Sequence, residues 1–250
     1  MITMATTGSL LKLLTLLALS FSTAVKLKHS AIISHLRDTS ERDVIPLPDD
    51  NNSPVTVEID LGLIKILDVD QERNEIEVLM LQSVIYNNPA LAWDVTKEGF
   101  NASYVVLNYW YLWQPDITVY NAVSRPEFVD YHLAFVKSNG DVEFIPKVRV
   151  RVWCDLQDVD SNSGANCSLK LGSWTQSGKT LSLSNIVNGI SMYWYLATPK
   201  YEVMATSAIK HSKVYECCPD EPYEDLEFTF VVRKQDRAVR VPEEETGSLK

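Results

Sequence analysis

The sequence predicts an all-β fold, a β-sandwich preceded by a short N-terminal helix. Three observations carry this expectation. First, Val55, Val57, Ile59, Leu61 and Leu63 alternate with mostly polar or small residues, the period of a half-buried strand. Second, the alternation returns twice. It appears in Val148, Val150 and Val152 against Lys147, Arg149 and Arg151, and in Leu226, Phe228, Phe230 and Val232 against Glu227 and Thr229. Third, Ser138-Asn139-Gly140-Asp141 lies inside the run 133–145, and Asn-Gly tolerates the positive φ of a tight hairpin turn. Several short alternating strands separated by turns argue for a sandwich or barrel. A chain of 250 residues suits one all-β domain of this kind.

Taken in order, residues 1–24 read as a signal peptide. Lys12 sits among the leucines of 10–19, Phe21 closes the apolar run, and Ser22-Thr23-Ala24 offers small residues for cleavage. That run is short of the ~20 residues a membrane span needs. No later stretch is long and apolar enough to span, so secretion is expected. Residues 30–38 have the pattern of a short amphipathic helix, which Pro46-Leu47-Pro48-Asp49-Asp50 then breaks. The strand from Val55 is followed by a second at 75–81, by the hairpin at 133–145, and by Leu169 and Leu171, which resume the period. Neither an internal repeat nor a linker divides 25–235, and the polar run 236–250 reads as a disordered tail.

The formal charge is −10 without any basic run, so nucleic-acid binding is not expected, because phosphate contacts need clustered Lys and Arg. Four cysteines, Cys154, Cys167, Cys217 and Cys218, allow three pairings. Adjacent cysteines look unsuited to bonding each other, since a trans peptide holds their Cα atoms ~3.8 Å apart. Crossed pairing to Cys154 and Cys167 is the open alternative. Asn51, Asn101 and Asn166 head glycosylation sequons.

Enzymatic signals are weak. His29, His35, His132 and His211 do not share metal-ligand spacing, and there is no nucleophile elbow, phosphate loop or zinc motif. No catalytic residue, metal or cofactor is expected. Tyr120, Trp174, Tyr215 and Tyr223 are more informative, because all fall near strand ends or loops. An aromatic face attracts a cation, and several faces make a cage for quaternary ammonium groups. Core filling is the ordinary alternative for such residues.

Tyr215-Glu216-Cys217-Cys218-Pro219-Asp220-Glu221-Pro222-Tyr223 resembles the loop C tip of acetylcholine-binding proteins and nicotinic receptor α subunits. Trp113-Gln114-Pro115-Asp116-Ile117-Thr118-Val119-Tyr120 resembles that family's loop A, and Gly172-Ser173-Trp174-Thr175 its loop B. The segment 74–94 resembles the one containing loop D, and the matches run in family order from about Val55 to Lys234. The resemblance implies an immunoglobulin-like sandwich of the Cys-loop receptor type. It also implies the disulfides Cys154–Cys167 and Cys217–Cys218, the first enclosing residues 155–166. Tyr120, Trp174, Tyr215, Cys217, Cys218 and Tyr223 would form the principal face of a ligand site. A neighbouring subunit in a ring of five would supply the complementary face. A small cationic or larger amphipathic molecule is the expected ligand.

The complementary face departs from the family pattern. Leu81 falls where loop D usually carries Trp, and loop E falls on Phe135, Glu143 and Ile145. A strict two-residue Asn139-Gly140 turn would set Phe135 opposite Phe144, whereas the resemblance sets it beside Glu143. The apolar segment Ile190-Ser191-Met192-Tyr193-Trp194-Tyr195-Leu196 is either core or a widening of the pocket. A channel subunit would continue into membrane helices after about Lys234 and would carry an apolar Cys-loop tip. Here Val159-Asp160-Ser161-Asn162-Ser163-Gly164 is mostly polar, and the loop is one residue shorter, as in the soluble binding proteins. The expectation is therefore a secreted binding protein. A receptor ectodomain and an unliganded adhesion or scaffold sandwich are the alternatives.

Overall fold

A computed structural model describes residues 30–48, 52–97, 99–130 and 132–235. The signal-peptide and tail expectations, and the sequon at Asn51, lie outside the described residues. An α-helix, α1, covers 30–39 and buries Ile32 and Leu36, one turn apart, against the end of the sandwich. Thirteen strands follow among the described residues: β1 (Val55–Asp70), β2 (Glu75–Asn87), β3 (Tyr104–Asn108), β4 (Ile117–Val119), β5 (Glu127–Phe128), β6 (Leu133–Lys137) and β7 (Asp141–Phe144), then β8 (Lys147–Trp153), β9 (Ala165–Ser173), β10 (Leu181–Ser184), β11 (Ile190–Ser191), β12 (Tyr201–Tyr215) and β13 (Cys218–Lys234). No helix among them is long and apolar enough to cross a membrane.

The strands form two sheets. The larger runs β10-β1-β2-β7-β6-β3, with β8 beside β2 and β5, and β11 beside β1. The smaller runs β12-β13-β9-β4. The core lies between them. Ile59, Leu61, Ile76 and Val78 from the large sheet share one cluster with Leu169, Leu171, Phe228 and Phe230 from the small one, all almost fully buried. A side-chain period of two lets each strand feed this core from alternate residues and keep the others for the outer faces.

β1 shows how the pattern ends. Val55 to Leu63 point inward at odd positions, but the pairing with β2 shifts between Leu63 and Lys65. The extra residue turns Lys65 outward and brings Ile66 in, so a bulge prevents a buried ammonium. The parallel pairing of β1 with β10, Val55 against Leu181, is a long-range contact without local signal. The β6–β7 hairpin resolves the register in favour of the resemblance: Phe135 faces Glu143, and Ala134 faces Phe144. Ser138, Asn139 and Gly140 form a three-residue loop in which Gly140 N–H donates to Lys137 O at 2.9 Å and Gly140 holds φ +88°. A side chain there would strike the Asn88 carbonyl carbon at 3.2 Å as well as its oxygen.

The disulfide Cys154–Cys167 joins the end of β8 to β9 and is buried. Its loop is anchored at several points. Asn74 lies between β1 and β2, with its carbonyl accepting from Cys154 N–H at 2.8 Å and its side chain accepting from Leu156 N–H at 3.1 Å. Asp160 at the tip pairs with Lys234 at 2.8 Å and accepts from Gln71 at 3.1 Å. Val159 beneath it is fully buried. Replacing both Cys154 and Cys167 by serine is expected to cost about 3 kcal/mol of unfolding free energy, the loop-entropy value for a ring of this size. Urea denaturation measures it, and an unchanged midpoint would mean that the anchors alone hold the loop.

Candidate functional site

At the small sheet, one aromatic residue from each of its four strands or the turns that follow them converges on one cavity. Tyr120 follows β4, Trp174 follows β9, Tyr215 closes β12 and Tyr223 lies in β13. Their side chains, with Lys170, Ser173 and Cys217, line a cavity of about 580 Å³. Tyr120 and Trp174 meet edge to face at 6.1 Å, and Tyr215 and Tyr223 do so at 5.7 Å. Trp174 is 72% exposed, an indole held at the cavity mouth without being packed.

Tyr120 and Trp174 are held by backbone pairing and hydrogen bonds. Tyr120 N–H donates to Lys170 O at 2.8 Å, continuing the β4–β9 pairing, and its hydroxyl donates to Ser173 O at 2.7 Å. The ring lies on Gly172, where a Cβ would collide with Tyr120 Oη, with Cζ at 2.8 Å and with Glu224 O at 2.9 Å. Burial, with the nearby Asp225, Tyr215 and Asp116, pushes the Tyr120 phenol up to about 12. Asp116 fixes the turn carrying Trp174. One carboxylate oxygen accepts from Ser173 Oγ at 2.5 Å, and the other accepts from Thr175 N–H at 2.7 Å. Below the cavity, Asp225 is buried and meets Lys170 at 3.3 Å and His211 Nδ1 at 2.9 Å.

Cys217 lies in the turn between β12 and β13, and Cys218 opens β13 opposite Tyr215. Cys217 is exposed and Cys218 half-buried, and the two stand side by side with their sulfurs unbonded in this structure. Ordinary strand backbone spaces adjacent Cα atoms closer than a relaxed disulfide prefers. The Cys218 thiol is pushed up from its usual range, first by its hydrogen bond with Cys217 and then by desolvation.

The expected complementary residues lie on the other sheet. Phe135 and Glu143 face each other on β6 and β7 and line a separate cavity of about 360 Å³ with Tyr104 and Lys137. Glu143 is ion-paired with Lys137, so it is not a free carboxylate for a ligand amine. Leu81 is half-buried on β2 between Gly62 and Lys147, and Ile145 is exposed just past β7. None of the four lines the aromatic cavity of its own chain. The segment after Gly189 is not core throughout. Ile190 is buried and Met192 and Tyr195 pack against the core, while Tyr193, Trp194 and Leu196 are exposed, with Leu196 N–H held to Ile64 O of β1. Asn101 and Asn166 are both exposed. Among the described residues no cluster of His, Cys, Asp or Glu could hold a metal ion.

Sequence reasoning singled out the rings and included Asp116 and Gly172 only as motif neighbours without a role, and Asp225 not at all. Only the alternation around Leu226 hinted at the last, by setting it on the outer face of β13.

Comparison with known proteins places the chain among ligand-binding domains. Residues 29–236 match the model of the neurotransmitter-gated ion-channel ligand binding domain. The chain is 29% identical over 188 residues to acetylcholine receptor subunit alpha-type acr-16 of Caenorhabditis elegans, covering 74% of this chain and 37% of that protein. It is 29% identical over 187 residues to the human neuronal acetylcholine receptor subunit alpha-6, covering 73% of this chain and 37% of that protein. The chain thus spans little more than a third of the length of these relatives.

Gly172→Ala is expected to cost about 1–3 kcal/mol of stability through overpacking and to expel Tyr120 from its seat. Spectrophotometric titration, read as the difference from Tyr120→Phe, should then show that the Tyr120 phenol, near 12 in the wild type, moves toward the ordinary value of ~10. In the wild type the folded state keeps this proton above the unfolded value. The stability due to this group is therefore intact below about pH 10 and falls as pH rises toward 12. An unchanged titration in Gly172→Ala would contradict this account of how Tyr120 is seated.

Proposed function

The chain belongs to the neurotransmitter-gated ion-channel ligand-binding domain family, a family of ligand-binding rather than catalytic domains, and from that premise we propose that it is a secreted, acetylcholine-binding-protein-like receptor for small cationic or amphipathic ligands. The observation that carries this reading is the convergence of Tyr120, Trp174, Tyr215 and Tyr223 on one open cavity, with the Trp174 indole left uncovered. A cation seated against π faces gains ~0.5–2 kcal/mol per contact, more as water is excluded. Neutral rings also bind without the desolvation cost that a buried carboxylate would carry.

In this reading the ligand is enclosed by two subunits of a closed homopentamer. The principal wall comes from the small sheet of one copy, and Leu81, Phe135, Glu143 and Ile145 come from the large sheet of the next. The placement of these two groups on opposite sheets supports a heterologous head-to-tail contact, which generates a ring. Leu81 would offer apolar bulk but no π face, which favours larger amphipathic ligands over small quaternary amines. The vicinal cysteines would cap the ligand, closing to a disulfide in an oxidising compartment. The polar Cys-loop tip, with Asp160 committed to Lys234 and Gln71, supports a binding protein without a membrane domain. A second reading, the extracellular domain of a channel subunit, is favoured by the names of the relatives. Membrane-spanning segments encoded beyond Lys250 in the native transcript would establish it.

Two measurements test the proposal. Trp174→Ala is expected to weaken binding of a quaternary amine at least tenfold by calorimetry, about the loss of one desolvated cation–π contact. Wild-type affinity in this variant would exclude the cage. Light scattering on the purified chain should give the mass of a pentamer, and a stable monomer at micromolar concentration would defeat the shared site.

A further inference from the structure

Of the two lysines beside the aromatic cavity, only one has its charge met by a carboxylate. Lys170 sits on Asp225 at 3.3 Å. Lys213 lies on β12 two residues before Tyr215, directly opposite Tyr223 of β13. Its ammonium stands 4.8 Å from the centroid of the Tyr215 ring. Among the described residues no carboxylate lies within ion-pair distance of it. Three of the acids around the cavity are engaged elsewhere: Asp225 with Lys170 and His211, Glu224 with Lys210 at 2.8 Å, and Glu221 with the Ser177 hydroxyl. Lys213 is exposed, yet it rests on one of the rings that line the cavity.

We infer that Lys213 determines the ligand specificity of this site: it holds a π face of Tyr215, disfavours ligands that bring only a positive charge, and favours those that pair a cationic head with a carboxylate or similar anion. The inference rests on the aromatic-cage reading above and narrows its ligand class. A π face already holding one cation offers less to a second, and two unit charges a few ångströms apart repel even when partly solvated. A zwitterion turns this repulsion around. Its ammonium takes the remaining faces of Trp174, Tyr120 and Tyr223, and its carboxylate meets an ammonium with no other anionic partner. Lysine suits this role because its flexible stem carries a point charge that can leave the ring when a better acceptor arrives.

Choline and glycine betaine share a trimethylammonium head, and only the second carries a carboxylate. Calorimetry on the full chain should find that the wild type binds glycine betaine more tightly than choline. Lys213→Met keeps the stem and removes the charge. It should tighten choline by about three- to tenfold and weaken glycine betaine by a similar factor, as expected for one charge ~6 Å away near a surface. Lys213→Arg should keep the wild-type order. The Lys213→Met effect should also shrink in high salt, which a packing role would not show. If both ligands bind and Lys213→Met leaves their ratio unchanged, the role of Lys213 is overturned while the cage stands. If neither ligand binds the wild type and Trp174→Ala changes nothing for any amine, the cage falls and this inference with it.

Discussion

A carboxylate taken out of water has to be met by cations or donors, and Asp225 is met from both neighbouring strands. Lys170 reaches it from β9 and His211 from β12, so three strands of the small sheet are tied together directly beneath the aromatic cavity. Removing one partner would leave a buried charge only half compensated, which is far more costly than any exposed ion pair is worth. The rings above depend on this arrangement. Tyr120 closes over Gly172 between β4 and β9, Tyr223 stands two residues before Asp225, and Tyr215 is carried by the strand that His211 holds. The aromatic wall is thus built on a polar foundation rather than on apolar packing, which allows its rings to stay open to solvent.

Trp174 depends on a different constraint. An indole that is mostly exposed gains little from packing, so its position is set by its backbone. The two oxygens of Asp116 hold the residues on either side of it, and Gln176 N–H donates to Ser173 Oγ at 2.8 Å. The ring is therefore pre-placed, and the ordering entropy is lost during folding rather than on binding. The same logic separates the two faces of the molecule. Phe135 and Glu143 are fixed by the three-residue loop of the β6–β7 hairpin, whose register decides that Glu143 meets Lys137 and Phe135. A one-residue slip would have set Phe135 against Phe144 and sent its whole row to the other face.

The sequence by itself determined the elements whose pattern is local. Alternation in β1, β8 and β13 placed Val57, Val150 and Phe228 in the core, the 30–39 helix was legible from its apolar spacing, and Asn139-Gly140 located the hairpin. The residues of the aromatic cavity were legible too, because Tyr, Trp and the adjacent cysteines stand in a motif that can be read along the chain. What tertiary structure alone decided is everything that depends on a partner distant in sequence. Lys65 turns outward only because β2 forces a bulge, and β10 and β11 are strands only because β1 offers them an edge. Asp225 is buried only because β9 and β12 close over it. Tyr193 and Trp194 face solvent although their apolar run also allowed a core reading, because the hydrogen bond to Ile64 O fixes the segment against β1 with these two rings outward. Side-chain periodicity records which way a residue points, whereas burial and charge pairing depend on which surface arrives opposite, and that is settled only when the sheets assemble.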